Sequence, residues 1–147
     1  MIATNSQPSS KFEEINIMTL PIISCAFIGM FALIQVPLTW MVGLRRVHTN
    51  IQFFDGGDVT LLRRMRAHGN YTETVPIVLL AMLVSELSHM PSWALYLGGF
   101  SLLLGRLLHA YVIVRHGWGN GRAIGMLLTF APMIGFGGWC LSRVFVS

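Results

Sequence analysis

Residues 15–44 read INIMTLPIISCAFIGMFALIQVPLTWMVGL, without one Asp, Glu, Lys or Arg. A membrane-spanning helix needs about 20 consecutive apolar residues, so this run is long enough to cross a bilayer. Pro21 stands near its start. Pro37 lies inside, where a membrane helix tolerates a kink. Upstream, residues 1–16 form a polar segment carrying Lys11, Glu13 and Glu14. No basic stretch precedes the apolar run and no small-residue cleavage site follows it, so a removable signal peptide is not expected.

Downstream, Arg45 to Asp58 reads as a polar connection with Gly56-Gly57 as its turn. Asp58 is placed to cap a helix over about residues 58–88. The first turns of that helix carry Arg63, Arg64 and Arg66, and its second half, Val75 to Leu87, is apolar apart from Ser85 and Glu86. His89-Met90-Pro91-Ser92 is a tight connection to a third span over about 93–114, interrupted by Arg106 and His109. Arg115 to Gly121 forms a glycine-rich loop, and a fourth span runs over about 122–146 through Pro132. The pattern predicts an all-α, integral membrane four-helix bundle over residues 17–147.

Composition agrees. Hydrophobic residues make up 54 % and charged residues 11 % of the 147, and mean hydropathy is +0.64. A soluble domain carries about 25 % charged residues, so an ordinary globular protein is excluded, as is a disordered chain. The net charge of +4 does not point to nucleic acid, because the basic residues sit in two short stretches between apolar runs rather than on a broad polar face. Arg45, Arg46, Arg63, Arg64, Arg66, Arg115 and Arg122 are seven of the ten Lys and Arg. The positive-inside rule then makes loops 45–66 and 115–122 cytoplasmic and puts both termini outside, as in a bacterial inner-membrane protein. Trp40, Trp93, Trp118 and Trp139 fall near span ends, as an aromatic belt requires. Cys25 and Cys140 lie inside apolar runs and read as small core hydrophobes.

Ionisable groups in hydrocarbon are costly and mark partners or wet cavities. Arg66, Asn70 and Glu73 are spaced i, i+4 and i+7, and so share a face of the second helix. Arg106 and His109, at i and i+3, share a face of the third. Glu73 and Arg106 sit at similar depths, which makes them candidates for a carboxylate–guanidinium pair. One reading is a structural ion pair setting helix register. The other is a site for a small anionic or zwitterionic ligand, with Arg66, Arg106, Arg122 and His109 supplying excess positive charge. Glu86 reads as interfacial, His48 and His116 as loop histidines, and His68 as turned away from the Arg66–Asn70 face. Only His109 lies clearly within a span, so no haem or metal site is expected.

The stretch from Arg63 to Pro76, with its pattern Arg66-Ala67-His68-x-Asn70-x-x-Glu73 followed by Pro76, resembles the signature of the MAPEG family, the membrane-associated proteins in eicosanoid and glutathione metabolism. Gly105-Arg106-Leu107-Leu108-His109-Ala110 is similar to a second motif of that family. The resemblance covers roughly Leu20 to the C-terminus. It implies a left-handed four-helix bundle assembled as a homotrimer, with a glutathione site near the cytoplasmic face between subunits. It implies that Arg66, Asn70, Glu73, Arg106 and His109 contact glutathione as cosubstrate, and that Arg122 holds the thiol as thiolate. The expected chemistry is glutathione transfer to, or peroxidase-like reduction of, a lipophilic substrate entering from the bilayer. The sequence departs from animal members at Gly69, Ala123 and Met126 and resembles the bacterial branch. Those departures favour the alternative, a non-catalytic membrane subunit or scaffold that retains the trimer and its ionic core.

Overall fold

The computed structural model describes residues 20–146, apart from the side chain of Val146. The polar segment 1–16, the start of the first apolar run and Lys11 lie outside the described residues. Four helices follow in order: α1 (Ile22–Thr49), α2 (Val59–Leu87), α3 (Ser92–His116) and α4 (Asn120–Val146). They are 28, 29, 25 and 27 residues long, or about 38–44 Å at 1.5 Å per residue. That exceeds a hydrocarbon core of about 30 Å. Short connections make successive helices antiparallel neighbours.

Helices α1, α3 and α4 are long and apolar enough to cross a membrane. The expected fourth apolar span, α2, is not among them, although it is the longest helix. Its first half spends its polar residues on a cavity described below. Its buried positions Ala67, Tyr71, Val75, Val78, Met82 and Ser85 recur every three to four residues, so α2 is an inner element packed on the other three. The core joins Phe27 and Phe31 of α1 to Tyr71, Val75, Val78 and Met82 of α2, Leu95 and Leu102 of α3 and Phe136 of α4. Outside it, large apolar side chains are bare: Leu33 is 75 % exposed and Ile134 74 %. A soluble monomer does not expose such a surface, whereas a bilayer covers it.

The α3–α4 contact is the closest in the bundle. A Cβ built on Gly125 would stand 2.8 Å from the Gly105 carbonyl oxygen, and one on Gly105 would stand 2.9 Å from the Gly125 carbonyl oxygen. Gly121, Gly125 and Thr129 repeat every four residues along α4, a small-residue stripe that lets two backbones touch. Ser101 adds a hydrogen bond to the Leu128 carbonyl at 2.8 Å.

Two expectations change at the helix ends. Arg45 and Arg46 are not in a loop, because α1 continues to Thr49. Arg46 and His48 occupy its last turn, where cations complement the helix dipole. His116 likewise closes α3. Asp58 is the N-cap of α2 and accepts from the Leu61 amide at 2.6 Å. Its carboxylate also takes both Nε and Nη2 of Arg45, at 3.2 and 2.7 Å, the ion pair that ties the end of α1 to the start of α2.

The Arg45 bond, then the Leu61 amide, hold the Asp58 carboxyl below its ordinary pKa of 3.8. A carboxyl depressed on folding contributes stability that is complete above its unfolded pKa and fades as pH falls through the folded one. Asp58→Asn keeps a good cap but loses the ion pair. It should therefore melt below the wild type near neutral pH, and the gap should close as pH drops below the ordinary carboxylate range. Melting curves in detergent across that range check this; a gap independent of pH would refute it.

Cys25 does not pack in the core: it is exposed, and Cys140 is half-buried beside Ser85. Both thiols are free. Glu86 is more than an interfacial carboxylate. Its two oxygens accept the Ile23 and Ser24 amides, at 3.0 and 2.6 Å, and so cap the first turn of α1 from across the bundle. Pro21 cannot supply that cap.

Candidate functional site

The arginine-rich end of the bundle holds a cavity of about 770 Å³. Its long wall is one face of α2: Leu62, Arg63, Met65, Arg66, Gly69, Asn70 and Glu73. Residues 63, 66, 70 and 73 follow the i, i+3, i+7, i+10 spacing of a single helical stripe. The opposite wall is Ile113 and Gly117 at the end of α3 and Arg122 in the first turn of α4. Phe54 and Asp55 of the α1–α2 loop reach its rim. Small-molecule sites occupy roughly 300–1,000 Å³, so a tripeptide-sized ligand fits.

Four of the six residues singled out from sequence, Arg66, Asn70, Glu73 and Arg122, line this one cavity. The other two, Arg106 and His109, do not. Both are 2 % exposed and lie behind the α2 wall. The Glu73–Arg106 pair is not formed. Arg106 Nη1 donates instead to the Asn70 carbonyl at 3.1 Å and the Thr74 hydroxyl at 2.8 Å. The reason is angular: Thr74 is about 100° around the helix from Glu73, facing α3, whereas Glu73 is exposed at the cavity. Arg106 Nη2 also approaches Met126 Sδ at 3.9 Å, so the guanidinium ties α2, α3 and α4 together. His109 packs against Gly125, whose added Cβ would meet His109 Cβ at 2.9 Å.

The charge balance suits a zwitterion. Arg63, Arg66 and Arg122 offer three guanidiniums for carboxylates, and Glu73 and Asp55 offer acceptors for an ammonium. A Cβ added at Gly69 would lie 3.8 Å from Glu73 Oε1, an ordinary contact distance, so Gly69 stands directly beside the carboxylate on the cavity wall. Asn70 is oriented by its own helix, its Nδ2 donating to the Arg66 carbonyl at 2.8 Å.

Arg63, Phe54 and Asp55 were not anticipated as site residues. Arg63 had a usable signal, since it extends the Arg66–Asn70–Glu73 stripe by one turn. Phe54 and Asp55 had none, because they sit in a loop with no period. His68 leaves the stripe as expected and meets α1. Its Nε2 lies 3.0 Å from Gln35 Nε2 and 3.2 Å from Thr39 Oγ1.

The model of the MAPEG family matches residues 24–142, a stretch that holds the Arg66, Asn70 and Glu73 stripe of α2 and the buried Arg106 and His109 of α3. The chain belongs to the MAPEG family. This MAPEG protein is 30 % identical over 112 residues to the "Inner membrane protein YecN" of Escherichia coli strain K12. It matches the protein of the same name from Escherichia coli O6:H1 equally well. The alignment spans 76 % of this chain and 85 % of that relative. No solved structure matches the chain. The four-helix membrane bundle is therefore of MAPEG type.

Proposed function

We propose that this MAPEG protein binds glutathione in the arginine-rich cavity and conjugates it through its sulfur to a lipophilic electrophile. The observation that carries the reading is the convergence of Arg63, Arg66 and Arg122 with Glu73 and Asn70 around one cavity of about 770 Å³. Glutathione has two carboxylates and one ammonium, and that set complements the Arg63 and Arg66 guanidiniums and the Glu73 carboxylate. Arg122 is assigned to the thiol: a guanidinium beside sulfur favours the anion and lowers its pKa. The thiolate then forms the carbon–sulfur bond while the electrophile's leaving group departs with its bonding pair.

The protein is proposed to act as a homotrimer, and to sit in a bacterial inner membrane because its YecN relative is named an inner membrane protein. The bare apolar face of α1, with Leu33, Val36 and Trp40 exposed, is available to neighbouring copies. Arg45, Arg46, Arg63, Arg64, Arg66, Arg115 and Arg122 gather at one end of the bundle, which the positive-inside rule assigns to the cytoplasm, with both termini outside.

Calorimetry on the detergent-purified protein should detect glutathione binding, and chlorodinitrobenzene should be conjugated. Arg122→Ala should retain binding but raise the thiol pKa and slow conjugation by about tenfold per pKa unit near neutral pH. No heat at millimolar glutathione in a well-folded sample would end this reading.

A second reading, a non-catalytic subunit, is favoured by one observation: Arg106 and His109 are sealed from the cavity and serve helix packing. It expects that no small thiol raises the melting temperature.

A further inference from the structure

Arg122 does not hold its position alone. Its guanidinium carbon lies 4.8 Å from the ring centroid of Trp118, inside the range of a cation–π contact. Trp118 is 77 % exposed, so core packing does not explain its placement. The loop that carries it is built for the purpose. Gly117 and Gly119 flank it at φ +76° and +157°, left-handed backbone that favours glycine. Gly117 is seated on Arg63: a Cβ added there would meet Arg63 Nε at 2.9 Å, and Arg63 Nη1 donates to the Arg115 carbonyl at 3.4 Å. The turn is thus pinned by one cavity arginine and presents an indole to another.

The opposite end of the bundle offers a comparison. There Arg143 lies 5.8 Å from the Trp139 ring, and the Trp139 indole N–H donates to Ser88 Oγ at 2.9 Å. That tryptophan is anchored into the helices. Trp118 stands beside the cavity with its ring against Arg122.

We propose that Trp118 is a positioning residue for Arg122, holding the guanidinium at the cavity mouth so that it meets the bound thiol already oriented. The inference rests on the glutathione reading. The stack removes rotamer freedom from a long side chain before the ligand arrives, so the charge is set to favour the thiolate without rearrangement.

The test uses the full chain in detergent, with glutathione as ligand. The thiolate is followed by its ultraviolet absorbance against pH, and conjugation with chlorodinitrobenzene. Trp118→Leu should raise the apparent thiol pKa by about half a unit or more and slow conjugation by about threefold or more near neutral pH. Glutathione affinity at acidic pH, where the thiol is protonated, should stay within about twofold, because that state gains least from Arg122. Trp118→Phe, which keeps an aromatic face, should restore the pH profile. A Trp118→Leu profile superimposable on the wild type, or a Phe variant as impaired as the Leu variant, would overturn the assignment while leaving the glutathione site intact. Absence of binding heat in the wild type would overturn both.

Discussion

Gly125→Leu yields no folded bundle. A Cβ at this position would lie 2.8 Å from the Gly105 carbonyl oxygen, 2.9 Å from His109 Cβ and 3.0 Å from the His109 amide nitrogen. Two of these three neighbours are backbone, so no rotamer change relieves the overlap. The α3 and α4 backbones must separate, and Arg106 must then give up its reach to Met126 or to the Asn70–Thr74 step of α2. Overpacking in an adaptable core costs roughly 1–3 kcal/mol; here the expected cost is larger because two helices have to part. Gly135→Leu is the control, since nothing lies within 4 Å of a Cβ at that position. Size-exclusion profiles in detergent should show aggregate for the first variant and a native peak for the second. A monodisperse Gly125→Leu protein with wild-type melting would refute the close α3–α4 contact.

Glu86→Ala should be the most damaging single removal of a polar group. The carboxylate accepts two backbone amides of the first turn of α1, donors that an α-helix cannot satisfy itself. Hydrogen bonds to a charged group are worth roughly 1.5–3 kcal/mol each, so about 3–6 kcal/mol is at stake across the two bonds. The anion also meets the positive end of the helix dipole. Glu86→Gln retains an acceptor and should recover part of the loss. Melting temperatures of the two variants check the order, with Ala lowest and Gln between it and the wild type. Equal melting of Glu86→Ala and wild type would mean that α1 is held by packing alone.

The legible and illegible parts of the cavity divide along a physical line. Within one helix, the period of 3.6 residues makes faces readable. It put Arg66, Asn70 and Glu73 together correctly, and it would have added Arg63. Between helices, no such rule exists. Sequence spacing gives Arg106 and Glu73 matching depths, yet α2 is turned so that Thr74 and the Asn70 carbonyl meet the guanidinium. Glu86 has no partner signal in its own helix, because its partners are the amides of Ile23 and Ser24, 63 and 62 residues away in the chain. The span count shows the same division. Hydropathy sees the polar half of α2 as a defect, and only packing reveals it as an inner helix with a cavity on one side.

The amino-acid sequence by itself determined that four helices form, roughly where they turn and which end carries the arginines. Those properties depend on hydropathy, on capping residues such as Asp58 and on glycines at the turns, all of which act locally. Tertiary structure alone decided which polar groups share the cavity and which are sealed into the bundle. That choice depends on how far each helix rotates about its own axis, and this is set by close contacts such as Gly105 against Gly125 between residues far apart in the chain.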